Sequence, residues 1–293
     1  MSASSVPRAD LRYLLRGAPH GRPPVWLLST GTRYFAPRHA GTFPVDDPET
    51  MVLLWGARDT VELEEVPAPA SYLTPLPVRR IFCPAVNFRS HSAESGMQER
   101  SEPYFFLKFA SSAVPQDTRV VLPRQAQKVD YEGEIGIVLG KRGKHWSRAE
   151  AGEAIFGYTV TNDLSLRDYQ FRESPRYGKN WVMGKAFDGS LPIGPWILPR
   201  EFLPEFCATI RTRVNGGLRQ DGSTDDMIFS CEELLSYLSE VNTLGPGDVV
   251  TTGTPSGVAA HQGERYLRDG DVVEIEVDQV GTLRHGISFE HAL

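Results

Sequence analysis

Short apolar runs bounded by turn-forming residues recur along most of the chain. Clear examples lie at residues 80–83, 134–139, 157–161, 248–252 and 272–277. Runs of this length, separated by glycine, proline and aspartate, are typical of strands in a sheet. The pattern therefore predicts an α+β fold that is mainly β and contains only a few helices.

Two helices are predicted from a capping pattern at their first residues. Ser147 is followed three residues later by Glu150, and Ser230 is followed three residues later by Glu233. In this pattern the serine and glutamate side chains satisfy amide groups that the first helical turn leaves unpaired. The apolar positions after Ser230 stop before a turn at residues 245–248, where we expect the second helix to have ended.

The first 75 residues differ from the rest in being rich in proline, glycine and arginine. They contain strand-like apolar runs at residues 25–28 and 51–55, and a proline-rich stretch follows at residues 66–77. Such a stretch favours a linker between two folded units. The sequence thus predicts a small N-terminal accessory domain at residues 1–75 and a catalytic domain at residues 76–293.

Charge and hydropathy argue against several classes of function. The 293 residues carry a formal net charge of -6, which disfavours nucleic-acid partners because phosphate binding needs clustered lysine and arginine. No apolar run is long enough to span a membrane, and the N-terminal segment lacks the apolar stretch of a secretory signal. We therefore expect a soluble, cytoplasmic protein with neither nucleic-acid nor membrane partners.

The three cysteines, Cys83, Cys207 and Cys231, are far apart and form no C-x-x-C pair. This spacing fits neither a disulfide framework nor a zinc knuckle. We expect all three to be small, buried apolar residues.

Two acidic residues interrupt one of the predicted strands. Glu132 and Glu134 lie two positions apart, so their side chains share one face, while Ile135, Ile137 and Leu139 point to the opposite face. Two neighbouring carboxylates repel each other and tolerate burial only if they share a proton or bind a cation. An isolated E-x-E pair more often lines a solvated strand face, so a further ligand is needed to favour a metal site.

Asp163 supplies that third carboxylate, because it follows directly after the apolar run that ends near residue 161. Polar loops at strand ends are where functional sites are usually built. Three hard oxygen ligands suit Mg²⁺, Mn²⁺ or Ca²⁺. The sequence therefore predicts a divalent-metal site formed by Glu132, Glu134 and Asp163, with Mg²⁺ or Mn²⁺ as the expected ion and Ca²⁺ as an alternative.

Five segments in sequence order resemble the fumarylacetoacetate hydrolase family, and together they span roughly residues 78–285. They lie at residues 84–94, 129–134, 157–168, 184–188 and 246–257. The resemblance implies a β-rich catalytic domain that usually forms a homodimer and acts on small 2-oxo or 1,3-dioxo acids. It also implies the metal ligands that strand periodicity indicates.

The resemblance assigns roles to six further residues. His91 and Glu94 match a catalytic dyad, whose members meet if their segment is helical, and Lys185 matches an active-site lysine. The substrate-binding positions that it implies are Arg167, Gln170 and Thr254. Without the resemblance, His91 is an ordinary surface or core histidine, Lys185 is solvated, and Arg167 forms a surface ion pair with Asp168.

The implied reaction is metal-dependent hydrolysis of a C–C bond in an acylpyruvate or fumarylpyruvate, with His91 and Glu94 activating water. Oxaloacetate decarboxylation and the isomerisation or hydration of 2-oxo acids use the same enolate, so the ligands do not choose among them. A Schiff base on Lys185 is another mechanism, and a metal-stabilised binding subunit is a non-enzymatic alternative. Ala85, Phe88 and Ala186 depart from the residues that are common in the family.

Overall fold

A computed structural model of the protein describes residues 8–172 and 178–290. Within these residues strands far outnumber helices, which confirms the expectation of a mainly β fold. No helix in the described part of the chain is long and apolar enough to cross a membrane.

The described strands are β1 (Tyr13–Pro19), β2 (Val25–Ser29), β3 (Tyr34–Pro37), β4 (Leu63–Val66), β5 (Pro69–Tyr72), β6 (Arg80–Pro84), β7 (Phe105–Lys108), β8 (Ala113–Val114), β9 (Arg119–Leu122), β10 (Val129–Asp130), β11 (Gly133–Leu139), β12 (Ile155–Asn162), β13 (Ser165–Leu166), β14 (Leu191–Pro199), β15 (Thr209–Val214), β16 (Gly217–Ser223), β17 (Asp248–Thr251), β18 (Val272–Val277) and β19 (Gly281–Phe289). The helices are α1 (Glu49–Gly56), α2 (Arg89–Ser95), α3 (Arg148–Ala154), α4 (Arg167–Gln170), α5 (Trp181–Lys185) and α6 (Cys231–Ser239).

The strands of the described residues form one large sheet, a five-stranded sheet and a two-stranded pair. The large sheet runs in the order β4-β3-β2-β1-β14-β12-β11-β17-β6-β7, with β5 and β8 attached beside it. The five-stranded sheet runs β16-β15-β18-β19-β9, and the pair joins β10 to β13. The main apolar core lies between the two larger sheets, where β11 and β12 contribute buried residues that face β15 and β18.

The N-terminal strands belong to the large sheet, because β1 pairs with β14 through Leu14 and Ile197. One apolar cluster includes these two residues together with Val138 and Val249 from the centre of the sheet. The sheet therefore continues across the domain boundary that the sequence predicts at residue 75. The proline-rich stretch is not a free linker, since β5 within it pairs with β1.

The two capping boxes predicted from sequence are both present. Ser147 and Glu150 begin α3, and Ser230 and Glu233 begin α6, with each serine accepting from the glutamate amide. The two helices pack against each other. The strand expected at residues 51–55 is wrong, since this run lies inside α1. A short apolar run is ambiguous between strand and helix, and its Met and Leu residues suit a helix.

The expectation for the cysteines holds for two of the three. Cys83 and Cys231 are buried, whereas Cys207 is exposed. The prediction for Cys207 is wrong because it lies in the loop before β15, where its sulfur is 3.8 Å from an oxygen of Asp225.

Candidate active site

Three buried carboxylates meet where β11 and β12 come together. Glu132 lies just before β11, Glu134 lies within it, and Asp163 directly follows β12. Antiparallel pairing of Gly133 with Asn162 sets this register, and the Asp163 amide donates to the Glu132 carbonyl oxygen at 2.8 Å. One oxygen from each of the three carboxylates lies within 4.8 Å of the other two. The sheet therefore brings the three predicted metal ligands together.

Lys185, at the last residue of α5, lies between two of these carboxylates. Its ammonium donates to Glu132 Oε2 at 2.6 Å and to Asp163 Oδ2 at 2.9 Å. Burial alone would lower the pKa of Lys185, but Asp163 and Glu132 outweigh burial and raise it. The side chain is therefore a buried, protonated cation, as a group that stabilises negative charge on a substrate should be.

Arg167 is buried and holds three side chains of the site. Its Nε donates to Asp130 Oδ2 at 2.9 Å, one terminal nitrogen donates to Gln170 Oε1 at 2.9 Å, and the other donates to Glu132 Oε1. The alternative of a surface ion pair with Asp168 is therefore wrong. The Asp168 carboxylate instead accepts from a backbone amide in the neighbouring loop.

The charges of the cluster are unevenly compensated. Burial raises the pKa of Glu132, but Lys185 and Arg167 outweigh it and hold that pKa below its usual range. Burial raises the pKa of Glu134 well above its usual range, and the charges of Asp163 and Glu132 raise it further. Among the described residues, no lysine or arginine lies within ion-pair distance of Glu134.

This donor set fits a divalent cation. The Glu134 carboxylate accepts a hydrogen bond from the Gly253 amide at 3.0 Å and lies beside the Thr251 side chain and the carboxylates of Asp163 and Glu132. Asp163 Oδ1 is buried and accepts no well-aligned hydrogen bond, although Lys108 Nζ lies 2.8 Å away. A cation near these oxygens would relieve the repulsion and supply the missing partner. The chemistry of the donors suits Mg²⁺ or Mn²⁺.

His91 and Glu94 form a pair on α2, as the resemblance implies. His91 Nδ1 lies 2.8 Å from Glu94 Oε1, and Glu94 Oε2 accepts from the Gly257 amide at 2.9 Å. Burial would raise the pKa of Glu94, but the bonds from His91 and Gly257 outweigh it and lower that pKa. Glu94 is therefore a fixed anion that orients the imidazole ring.

A cavity of about 70 Å³ joins these groups. His91, Glu132, Arg167, Gln170 and Lys185 all line it. Five of the nine residues predicted for the site therefore share one small chamber, and the remaining metal ligands lie against Glu132.

Thr254 is placed differently from the other predicted residues. Its hydroxyl donates to the Gly133 carbonyl oxygen at 2.9 Å and accepts from Gln220 Nε2 at 2.8 Å. The threonine side chain is buried and holds the start of β11. Its contact with substrate stays a prediction.

Three residues of the site were not predicted from sequence. Asp130 accepts from Arg167 and from the amides of Ala259 and Ala260. Lys108 is buried beside Asp163, and His261 lines the cavity with its ring 6.3 Å from that of His91. The available signal for Lys108 was its position two residues after Phe106 on an apolar strand, which points a lysine inward.

The fold is mainly β, and its large sheet carries three buried carboxylates whose oxygens suit a metal ion. A histidine that can act as an acid or a base lies beside them. Together these features define the class of protein. A family profile described as "Fumarylacetoacetate (FAA) hydrolase C-terminal" matches residues 80–288. The chain therefore belongs to the fumarylacetoacetate hydrolase family.

Relatives in this family carry several activities in their names. Human "Oxaloacetate tautomerase FAHD2A, mitochondrial" is 36% identical over 290 residues, which cover 94% of this chain and 91% of the relative. Fumarylpyruvate hydrolase from Pseudomonas aeruginosa, solved with Mn²⁺ and pyruvate, is 34% identical with a TM-score of 0.67 and covers 76% of this chain and 94% of its own. The 2-hydroxyhepta-2,4-diene-1,7-dioate isomerase from Mycobacterium marinum is 28% identical with a TM-score of 0.76, covering 96% and 100%.

Proposed function

We propose that this protein is a divalent-metal-dependent hydrolase that cleaves a C–C bond in a 1,3-dioxo acid of the acylpyruvate or fumarylpyruvate type. The observation that carries the proposal is the location of His91, whose ring lies 2.8 Å from the Glu94 carboxylate, in the same chamber as Glu132 and Lys185. An acid–base group and a charge-stabilising cation thus face one substrate position. The solved relative with Mn²⁺ and pyruvate supports this reading.

Glu132, Glu134 and Asp163 would hold the metal ion, with Mg²⁺ or Mn²⁺ as the expected ion. When bound, such an ion acts as a Lewis acid and withdraws electron density from the oxygens of a 2-oxo acid. Arg167 keeps Glu132 in place through its link to Asp130, so the ligand does not depend on the metal for its orientation.

In the proposed reaction, His91 takes a proton from water while Glu94 holds the imidazole ring. The resulting hydroxide attacks the distal carbonyl carbon, and the C–C bond breaks with its electron pair passing into the enolate of the 2-oxo acid. The Lys185 ammonium stabilises that negative charge. The proton then returns to carbon, which releases a carboxylic acid and pyruvate.

The position of Lys185 argues against the Schiff-base mechanism. An amine attacks a carbonyl only in its neutral form, and Glu132 and Asp163 raise the pKa of Lys185. Lys185 also donates to both carboxylates, so its nitrogen is held away from a nucleophilic role.

A second candidate is the keto–enol interconversion of oxaloacetate. The human relative with this activity in its name matches nearly the whole chain. The reaction passes through the same type of enolate, so Lys185 and His91 would keep their roles while no water is consumed. Decarboxylation of oxaloacetate uses the same anion and is a further outcome to be measured.

The experiment is to assay metal-stripped protein with and without Mg²⁺ or Mn²⁺ against acetylpyruvate, fumarylpyruvate and oxaloacetate. Metal-dependent release of pyruvate from an acylpyruvate is the expected result. Enol–keto conversion of oxaloacetate without pyruvate release would favour the tautomerase, and pyruvate from oxaloacetate alone would favour the decarboxylase. A protein that turns over none of the three in either metal would overturn the proposal and favour the binding subunit.

The matched variant for this assay is His91→Gln. It removes the base but keeps a polar side chain within reach of Glu94, so the metal should still bind. We expect loss of turnover with an unchanged thermal shift on adding Mn²⁺. Unchanged turnover at saturating metal and substrate would show that the dyad is not the base.

We also propose that the chain forms a homodimer, as members of this family usually do. Leu107 on β7 and Val182 and Met183 on α5 are large apolar side chains that are about half exposed. The strand β7 ends the large sheet and packs beside α5, so two neighbouring elements carry exposed apolar side chains that a second copy of the chain could cover. A molar mass of twice the chain mass in light scattering would support the proposal, and a monomer would contradict it.

A further inference from the structure

A pocket of about 510 Å³ lies where strands β6 and β17 begin. Its lining contains three arginines, which are Arg79, Arg80 and Arg142, and we call it the arginine pocket. The two strands are parallel and lead away from it, towards the cavity that Ala85 and His91 line beyond the end of β6. A strand of five residues spans about 13 Å, so the arginine pocket is separate from that cavity.

The charges around the arginine pocket are unbalanced. Asp248 is the one acidic residue among the described residues that line it. Its carboxylate accepts from Arg80 Nε at 2.8 Å and from the Gly245 amide at 2.9 Å, so it is already paired. Arg79 and Arg142 form no ion pair with a carboxylate in the described part of the chain. Two guanidinium charges therefore face the pocket without a counter-charge.

Both unpaired arginines pack against a single turn. A Cβ built on Gly245 would lie 3.4 Å from the Arg142 Cγ, and a Cβ built on Gly247 would lie 3.0 Å from the Arg79 Cγ. The Arg79 amide also donates to the Gly247 carbonyl oxygen at 2.7 Å. The two glycines are two positions apart, so they bring the stems of the two arginines close together. The pocket can therefore offer both cations to one molecule.

The chemistry of the pocket selects anionic oxygen groups. A guanidinium forms two parallel hydrogen bonds with a phosphate or a carboxylate, and these bonds are stronger than those between neutral groups. Two unpaired guanidinium groups suit a molecule with two anionic groups, because each group gains its own partner. The chain as a whole has a formal net charge of -6, so the attraction for an anion is local to this pocket. The volume is that of a site for a small metabolite.

We propose that the arginine pocket binds a small molecule with two anionic oxygen groups, either phosphates or carboxylates. Arg79 and Arg142 each hold one of these groups, while Arg80 stays paired with Asp248. The ligand joins the residue before β6 to the loop before β17, so its binding stabilises the folded chain. It occupies a site separate from the catalytic residues and is therefore neither substrate nor product of the proposed reaction.

The test is calorimetric titration of the metal-stripped full chain with pyrophosphate and with citrate, at constant ionic strength. Removing the metal prevents the probes from binding to it instead of to the protein. We expect one molecule to bind per chain and to raise Tm. Arg79→Met and Arg142→Met should each weaken binding by about 10-fold or more, because charge-assisted hydrogen bonds are lost. Both side chains are exposed, so Tm without ligand should stay near that of the parent.

A matched pair of variants at Val241 tests the charge of the pocket without removing an arginine. Val241 lines the pocket and is 76% exposed, so it tolerates a polar side chain. Val241→Glu adds a carboxylate beside the arginines and should abolish binding of both probes. Val241→Gln has nearly the same shape without the charge and should bind like the parent. Arg124→Met removes an exposed arginine outside the pocket and should also bind like the parent.

Tighter binding of pyrophosphate than of citrate would identify a phosphate-bearing ligand, and the reverse would identify a polycarboxylate. The proposal would be overturned if neither probe gives heat or changes Tm, or if Arg79→Met and Arg142→Met bind like the parent, since the anion then binds elsewhere. An equal loss in Arg124→Met would also overturn it, because net charge alone would explain the binding. Turnover is not measured, so failure of the proposed hydrolase activity would leave this result unchanged.

Discussion

At the scale of single residues, the site is a cluster of three carboxylates whose negative charges are only partly balanced by neighbouring basic side chains. Lys185 contacts two of the three carboxylates, and Lys108 approaches Asp163 from another side. Glu134 alone has no basic partner within the described residues. A buried charge without a partner is costly, so Glu134 is the residue at which metal binding and stability are most directly opposed.

Glu134→Gln should therefore have opposite effects with and without metal. In metal-stripped protein at neutral pH we expect Tm to rise by roughly 2–4 °C, equivalent to about 1 kcal/mol, because burial, Asp163 and Glu132 raise the pKa of the Glu134 carboxyl above its unfolded value and the uncharged amide removes that cost. The increase in Tm on adding Mn²⁺ should be lost. Thermal unfolding with chelator or with Mn²⁺ measures both effects.

Glu153→Gln is the control, because Glu153 is exposed and forms a surface ion pair with Lys141. Its Tm should change little, and its response to Mn²⁺ should match that of the parent. A lower Tm for metal-stripped Glu134→Gln would contradict the charge argument.

His285 makes the stability of the folded protein depend on pH, and it is linked through Asn162 to the backbone of Glu132 in the site. It accepts from Asn162 Nδ2 at 2.8 Å, and Asn162 Oδ1 accepts from the Glu132 amide at 2.9 Å. Burial lowers the pKa of His285 to about 4. In the unfolded chain the His285 imidazole therefore takes up a proton near pH 6.5. In the folded protein it takes up that proton only near pH 4.

The contribution of His285 to stability should fall as the pH decreases through this window and should level off below it. The His285 contribution is on the order of 3 kcal/mol across the window. Denaturant unfolding between pH 4 and pH 7 measures the slope for the parent and for His285→Gln, whose amide oxygen can still accept from Asn162. Identical slopes for the two proteins would show that His285 does not titrate as described.

The sequence predicted the carboxylates for a physical reason that does not extend to their partners. Glu132 and Glu134 were predicted to share one face because side chains alternate between the two faces of a strand, and this alternation depends only on local sequence. Asp130 and Lys108 are recognised only through contacts with residues distant in sequence, and no local pattern reports such contacts. Thr254 was assigned to substrate binding by resemblance, whereas its hydroxyl donates to the backbone carbonyl oxygen of Gly133 at the start of β11.

At the scale of elements, α4 and α5 carry the cations and must approach closely. A Cβ on Gly184 would lie 2.4 Å from the Gln170 Cβ and 2.6 Å from its Cα. The two short helices are therefore in backbone contact at a position next to Lys185. This closeness holds Arg167 and Lys185 on the same carboxylate.

Gly184→Ala should separate these helices and reduce kcat/KM by at least about 10-fold, because displacement of catalytic groups by about 1 Å is costly. Steady-state assays with the best substrate measure the effect. Gly56→Ala is the matched control, since Gly56 ends a helix with no atom within 4 Å of the added Cβ. Parent-like kinetics for Gly184→Ala would show that α4 can shift without consequence.

Elements with strong local signals were predicted, and those with weak signals were not. The serine–glutamate boxes placed α3 and α6 because capping depends on four consecutive residues. The run inside α1 was misassigned because its burial in the N-terminal apolar cluster, rather than its periodicity, determines its conformation.

At the scale of the whole molecule, one sheet unites the N-terminal strands with the strands that carry the site. Leu14, Ile193 and Ile197 are fully buried in the cluster between them. The sequence could not show this, because a proline-rich stretch looks like a linker whether or not one of its segments joins a strand. The edge of β14 is covered by β1 in the folded chain.

Removal of residues 1–75 should therefore expose that edge and the apolar cluster. We expect a chain beginning at residue 76 to aggregate or to lose a cooperative thermal transition, because an uncovered strand edge and apolar face favour association. Light scattering and calorimetry measure both properties. A soluble fragment with the Tm of the full chain would show that the N-terminal strands form an independent unit.

The parallel pairing of β6 with β17 has a consequence for biosynthesis. Arg80 on β6 contacts Asp248 on β17 across 168 positions of the chain, and His91 depends through Glu94 on the amide of Gly257. A growing chain therefore lacks the complete pocket until almost all of it has left the ribosome. An emerging fragment would offer separate carboxylates with little affinity for an ion, so metal uptake would mark the end of folding rather than guide its start.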